Sequence, residues 1–377
     1  MDFGETEMER ALAEPLGRFL EERYDFQERQ KRLASPEWRP DLWRALASEL
    51  GVVGAALPET VGGMGGGPAE VGAVMRAFGR RLVMEPFLTT VVMGAGLLRA
   101  WDNAAAAPLL AAIAEGATTV AVAHAEPNGG FEPAYVSARA VASGDGYVLN
   151  GRKALVLNAA AARHIIIVAR TAGDVEDAEG VSLFLLDAAT PGLERLDYGT
   201  IDGGSASDLI LTNVRVAADK VIGPIGKALP LVERMLDEAT TAVCAEACGL
   251  MQSLVDITVD YTRQRKQFGR AIAEFQVLQH RMVDMMIEAK QAASLTMVAR
   301  LKLDSSDRAA AVSAAKSRVG RACRSVSQAA VQLHGGIGIA DETPVSHYFR
   351  RALMIEQQFG SSDYHLDRYE RLQIYSL

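Results

Sequence analysis

The sequence predicts a multi-domain α+β chain, with a helical segment over residues 1–115, a strand-rich segment over 116–223 and a second helical segment over 224–377. Three observations predict it. At 377 residues the chain exceeds one ordinary hydrophobic core, so two or three domains are expected. The apolar spacing changes from the helical period to short strand-like runs and back again. Turn residues punctuate the middle segment at short intervals.

In the first segment Trp43, Leu46, Ala47 and Leu50 recur at three- and four-residue steps. Pro58 and the glycines of residues 62–67 break the pattern, and a helix resumes over residues 69–79. Residues 104–107 are alanine-rich and read as helix. In the second segment the runs 119–123, 147–149, 165–168 and 181–186 are short and apolar or β-branched. Gly144-Asp145-Gly146 and Thr190-Pro191-Gly192 separate some of them, which predicts a small barrel or sandwich. In the third segment Leu250, Leu254, Ile257 and Tyr261 form one helical stripe. Leu278, Met282, Met285, Ala289 and Ala292 form another, with breaks at Gly269 and at residues 304–307.

Composition narrows the function classes. Hydrophobic residues at 49% and charged residues at 23% suit a soluble globular protein. A net charge of −8 argues against a nucleic-acid partner. Cations nevertheless gather at Arg263, Arg265 and Lys266 and at Arg350 and Arg351, which suits a small anionic ligand. Cys244, Cys248 and Cys323 have neither disulfide-framework nor zinc spacing, and no metal is expected. The start, Met1-Asp2-Phe3-Gly4-Glu5, lacks a signal-peptide core. No apolar run of membrane-spanning length stands out, so a cytoplasmic protein without a membrane span is expected.

Two motifs carry chemistry. Tyr261-Thr262-Arg263-Gln264-Arg265-Lys266-Gln267-Phe268-Gly269, followed by Phe275-Gln276, lies between two helical patterns. A guanidinium at a helix end, beside exposed backbone N–H groups, can bind a pyrophosphate; taken alone, a solvated helix terminus fits as well. Further on the chain reads Gln332-Leu333-His334-Gly335-Gly336-Ile337-Gly338. Gly335 and Gly336 let a ligand approach the backbone, and Gln332 offers an amide to a carbonyl or adenine edge.

With Arg350-Arg351 and Phe359-Gly360-Ser361-Ser362-Asp363, these segments resemble the flavin-binding signatures of the acyl-CoA dehydrogenases. The order of segments is similar to that family over essentially the whole chain. The resemblance implies an N-terminal helical domain, a middle β-barrel and a C-terminal four-helix bundle. It implies FAD as cofactor, an acyl-CoA thioester as substrate and an electron-transfer flavoprotein as acceptor. It also assigns Arg265, Gln267, Phe268, Gln276, Gln332, Gly335 and Gly336 to the ADP part of a flavin whose ring lies in the neighbouring chain.

The departures from the family pattern are as telling. Where the family carries its base in Tyr-Glu-Gly-Thr, this chain has Gln358-Phe359-Gly360-Ser361, and a phenyl ring cannot take a proton. An alternative family position for the base falls on Ala239, with Glu238 adjacent; helix neighbours point about 100° apart, so Glu238 is a displaced candidate at most. Glu356 and Asp363 read as surface or helix-end carboxylates, or contacts to the flavin ribityl chain, and His334 and His365 as structural histidines. Arg350 and Arg351 suit a salt bridge or a ligand contact equally.

In the middle segment Ala125-Glu126-Pro127-Asn128-Gly129-Gly130-Phe131 resembles Thr-Glu-Pro-x-Ala-Gly-Ser, with Ala125 and Phe131 in place of the two hydroxyls. Leu155 and Leu157, in Asn150-Gly151-Arg152-Lys153-Ala154-Leu155-Val156-Leu157, replace an aromatic and a hydroxyl donor and are expected to fill a core. An ADP clamp without base or ring pocket resembles the small subunit of heteromeric bacterial acyl-CoA dehydrogenases, those for pimeloyl-CoA and steroid side-chain thioesters. A homologous catalytic subunit is then the expected partner, in a dimer or tetramer. An autonomous homo-oligomeric enzyme using Glu238, and a flavin-free structural subunit, are the competing expectations.

Overall fold

The structure, a computed structural model, describes residues 6–35, 37–101 and 103–374. Residues 1–5, on which the expectation about a signal peptide rests, lie outside the described residues.

The first segment forms α1 (Glu7–Arg23), α2 (Phe26–Leu33), α3 (Asp41–Ser48), α4 (Pro68–Arg81), α5 (Ala95–Leu98) and α6 (Ala106–Ala114). Local chemistry starts them. Thr6 and Glu9 make a reciprocal capping box on α1, and Asp25 accepts from the Glu28 amide at 2.7 Å on α2. The strands are β1 (Val120–Ala123), β2 (Arg139–Ser143), β3 (Gly146–Leu157), β4 (His164–Arg170), β5 (Val181–Asp187), β6 (Leu193–Gly199), β7 (Ser205–Ala217) and β8 (Val221–Ile222). Then come α7 (Leu229–Gln264), the ribbon β9 (Lys266–Gln267) and β10 (Arg270–Ala271), α8 (Gln276–Lys302), α9 (Arg308–His334), α10 (Pro344–Gln357) and α11 (Ser362–Ile374).

Two compact units result, and they do not follow the linear segments. The sheet unit takes residues 35–67 and 85–239, so α3, α5 and α6 belong with the strands. The helical unit takes described residues up to 34, then 68–84 and 240–377. By length and composition α7 could cross a membrane, but 72% of its most apolar stretch is buried inside the protein, which marks a core helix.

The sheet is eight-stranded, in the order β6-β7-β3-β2-β4-β5-β8, with β1 beside β4. Pairing is antiparallel except between β1 and β4 and at the single Arg139–Arg170 pair of β2 and β4. It curls around one core. Leu149, Val156, Ile165, Ile167, Phe184, Leu209 and Leu211 share a cluster, and Phe184 on β5 meets the Tyr147 ring on β3 at 5.2 Å. The Ile165–Val168 run lies in β4 and is buried throughout.

In the helical unit the predicted stripes face inward: Leu250, Leu254, Met285, Ala289 and Ala292 are buried. α4 and α7 cross closely because both carry glycine at the contact. A Cβ on Gly79 would strike the Glu246 carbonyl, and one on Gly249 the Arg76 carbonyl. Arg351 of α10 binds Glu246 of α7 through two hydrogen bonds of 2.6 Å, and Arg350 pairs with Asp341 at 2.6 Å. Both arginines are thus structural salt bridges, one of the two readings the sequence allowed. Cys244 and Cys323 are buried, and burial pushes the Cys244 thiol up to about 12. They pack as small apolar groups.

Candidate functional site

The ends of α7 and α9 build the first part of the site. After Arg265, whose amide donates to the Tyr261 carbonyl at 2.8 Å, the chain turns through β9 and β10. The tip is Phe268 (φ 51°) and Gly269 (φ 79°), two consecutive left-handed residues, as a two-residue hairpin requires. Phe268 is 91% exposed, and Arg265, Gln267 and Gln276, the first residue of α8, are exposed too. Arg270 lies over the Phe275 ring at 4.1 Å, and Phe268 meets that ring edge-on at 6.2 Å. Among the described residues no carboxylate forms an ion pair with Arg265.

The glycine motif comes to the same end of the unit. α9 stops at His334, and Gly335 (φ 64°) opens a short 3-10 turn to Ile339. Gln332, Gly335 and Gly336 are exposed, and nothing lies within 4 Å of where a Cβ on either glycine would sit. The Tyr261 ring stacks on the His334 imidazole at 4.3 Å, with planes 23° apart, which places the two motifs side by side. A cationic helix end beside an open glycine backbone fits the pyrophosphate and adenosine of FAD.

The second part is the turn at the expected base position. Phe359 (φ 61°) and Gly360 (φ 117°) are both left-handed, which for Phe is a strained conformation. Several contacts hold them there. The buried Lys316 ammonium donates to the Glu356 carbonyl at 2.9 Å and to the Gly360 carbonyl at 2.5 Å. His365 Nε2 lies 3.0 Å from the Phe359 carbonyl and so donates to it. Burial drives the His365 pKa to about 3, so it stays neutral, the structural histidine the sequence suggested.

Glu356 is not the surface carboxylate that was one expectation. It is buried, accepts from the Ser362 amide at 3.2 Å and from Gln357, and pairs with Arg324 at 3.3 Å. Burial alone would raise its pKa; the Ser362 hydrogen bonds and Arg324 outweigh that and hold it below the usual range. Asp363 is 92% exposed and faces Arg321 at 3.8 Å. Glu238, the displaced base candidate, is paired with Arg234 one turn earlier on α7, at 2.9 Å.

The sheet unit, taken by itself, holds the remaining positions singled out by the sequence. Leu155 corrects the expectation of a core leucine: it is 47% exposed, with φ 52°, at an irregularity in the pairing of β3 with β7. The bulge turns its side chain outward, and its amide donates to Asp208 Oδ1 at 3.2 Å. Tyr198 donates to the same oxygen at 3.0 Å. Leu157 is half-buried, and Phe131 is 41% exposed. Neither position 125 nor position 157 carries a hydroxyl, so the two side-chain donors expected for a flavin ring are absent.

Two buried cations that sequence reasoning missed shape the loops of this unit. Lys153 Nζ meets Glu126 Oε1 at 2.6 Å, with the side chains 0% and 1% exposed. Glu126 also accepts from the Ser137 amide at 2.8 Å, the Ser137 hydroxyl and the Ala138 amide at 3.1 Å. Burial alone would raise the Glu126 pKa; Lys153 and these donors outweigh it and hold the carboxylate charged. Arg170, wholly buried, donates to the carbonyls of Ala134, Val136, Ala172, Val175, Asp177 and Glu179. The only advance signal was that Glu126 and Lys153 each sit inside a recognisable motif.

Comparison with known proteins bears on both units. Family models for the N-terminal, middle and C-terminal domains of acyl-CoA dehydrogenase match residues 6–117, 121–214 and 228–372. The chain is 28% identical over 326 residues to a probable acyl-CoA dehydrogenase, YngJ, of Bacillus subtilis, covering 84% of this chain and 85% of that one. It superposes on a chain of the ChsE4-ChsE5 complex of Mycobacterium tuberculosis with TM-score 0.90 and 26% identity, over 99% of both chains. Butyryl-CoA dehydrogenase of Megasphaera elsdenii matches with TM-score 0.90 and 25% identity, over 99% of this chain and 100% of that one. With all three domains matched in order, this chain belongs to the acyl-CoA dehydrogenase family of FAD-dependent oxidoreductases acting on acyl-CoA.

Proposed function

We propose that this chain is the base-lacking subunit of a heteromeric acyl-CoA dehydrogenase and lends its ADP clamp to a homologous catalytic subunit. One observation carries the reading: the clamp residues are exposed around an open glycine backbone, while the base position holds Phe359 in a well-braced turn. FAD, when bound, supplies the oxidant that takes the β-hydride of an acyl-CoA thioester. Arg265, Gln267, Phe268, Gln276, Gln332, Gly335 and Gly336 would hold its ADP half. The α-proton needs a carboxylate, and Phe359 cannot serve, so the base comes from the partner. Glu238 is a poor substitute because its carboxylate is already engaged by Arg234 at 2.9 Å. The likeness to a chain of the two-component ChsE4-ChsE5 complex supports the heteromer. An electron-transfer flavoprotein is the acceptor the family suggests.

The test is co-purification with the neighbouring homologous subunit, followed by flavin quantitation and turnover of the isolated chain and of the complex. The reading requires that the complex be yellow and active while the isolated chain turns over no acyl-CoA. Turnover by the isolated chain would overturn it.

A further inference from the structure

We propose that Tyr261 and His334 are positioning residues that hold the two halves of the nucleotide clamp in register. The proposal rests on the clamp assignment made under Proposed function. One half, with Arg265, Gln267 and Phe268, follows α7; the other, with Gln332, Gly335 and Gly336, ends α9. Among the described residues no hydrogen bond joins one half directly to the other. The layer beneath joins them. The Tyr261 ring lies on the His334 imidazole, and its hydroxyl donates to the His334 carbonyl at 3.4 Å. The Tyr261 carbonyl in turn accepts the Arg265 amide at 2.8 Å, and His334 directly precedes Gly335. One side chain therefore spans from the residue that fixes Arg265 to the residue that opens the glycine turn.

The imidazole is built as a packing surface rather than as a ligand contact. Its Nδ1 lies 2.8 Å from the Ala330 carbonyl, so that nitrogen carries the proton. Nε2 is buried and has no hydrogen-bond partner. Burial holds the ring's pKa below the usual histidine value, and a neutral ring is what the stack requires, since a charge there would be buried without a counterion. Both residues sit at the last turn of their helices, where local opening is least costly. Loosening them should misplace the clamp without unfolding the unit.

The test measures ADP binding to the full chain by calorimetry, with thermal melts as a control on folding. Arg265→Ala should weaken ADP roughly tenfold to a hundredfold, the size of a charge-assisted contact. Tyr261→Ala should weaken it about tenfold with the melt little changed, since it forfeits only part of that contact. Tyr261→Phe and His334→Phe, which keep the stack, should bind nearly as the wild type does. The deciding variant combines Tyr261→Ala with Arg265→Ala. If Tyr261 acts by placing Arg265, the double variant loses no more than Arg265→Ala alone. An equal further loss in that background, or a Tyr261→Phe variant as weak as Tyr261→Ala, overturns the positioning role and leaves the clamp standing. An Arg265→Ala variant that binds ADP normally, or a wild-type chain that binds none, overturns both.

Discussion

Replacing Lys153 by Met should destabilise the sheet unit by about 3–5 kcal/mol, the cost of removing one partner from a buried ion pair. The size follows from the geometry. Glu126 and Lys153 are 2.6 Å apart with essentially no exposure, so the remaining carboxylate would have neither counterion nor solvent. It would keep its hydrogen bonds from Ser137 and Ala138, which places the loss nearer the lower figure. For a unit of this size a kcal/mol moves the midpoint by about 2–4 °C, so a fall of roughly 6–20 °C is expected. Calorimetry would follow the transition, and hydrogen exchange would read the Ser137 and Ala138 amides, whose protection should drop first. The paired replacement Lys153→Met with Glu126→Gln should recover part of the loss, because the neutral amide oxygen can still accept from Ser137 and Ala138 while no buried charge is left unpaired. A midpoint shift below about 2 °C for Lys153→Met would refute the reasoning, since it would mean the carboxylate is already well solvated.

Gly79→Ala and Gly249→Ala should each cost more than about 1 kcal/mol in denaturant melts, because each Cβ meets a carbonyl of the opposing helix. If either is neutral, the close crossing of α4 and α7 is wrong. Phe268→Gly should leave stability unchanged or raise it by about 1 kcal/mol, since it relieves a left-handed aromatic that buries almost nothing; under the proposed clamp it should also lower flavin retention by the proposed complex. Unchanged flavin content would remove Phe268 from the clamp. Acid should destabilise the fold through His124 and His365, whose pKa values are driven by burial from 6.5 to about 4 and about 3. The unfolded chain binds these protons first, so stability is full above pH 6.5 and falls below it by about 1.4 kcal/mol per unit for each histidine. Guanidinium melts between pH 7 and 5 would check the slope; a flat profile contradicts the burial of both rings.

The sequence showed an element most plainly where one chemical property ran along it. The apolar runs in β1, β4 and β5 are visible because those strands are buried almost throughout, and the stripe Leu250–Leu254–Tyr261 because one face of α7 is covered. β6 escaped notice: as an edge strand exposed along nearly its whole length, Leu193-Glu194-Arg195-Leu196-Asp197-Tyr198-Gly199 carries no apolar run. The two motifs to which the clamp is assigned stood out because glycine suits close backbone approach and arginine suits an anion. Leu155 was misplaced because a bulge, which no periodicity announces, inverted its direction. Glu356 was misplaced because a carboxylate reads as surface unless its donors, here the Ser362 amide and Arg324, are known to converge on it. The ion pair of Glu126 and Lys153 joins residues far apart in sequence, so no local pattern reveals it.

Arg170 behaves like an internal template for two loops at once. Its planar fork donates to carbonyls on both sides, at residues 134 and 136 and at residues 172–179, and the Val136 amide also donates to the Val175 carbonyl. An ammonium has three donors around one point and cannot span that set, so lysine is no substitute. Because every one of these acceptors is a main-chain carbonyl, the constraint falls on the length and path of the loops and not on their side chains: an insertion near 175 strips donors from 134–136, and the reverse holds. Changes of length should arrive in these two stretches as matched pairs, and grafting a loop of different length should fail unless the other travels with it.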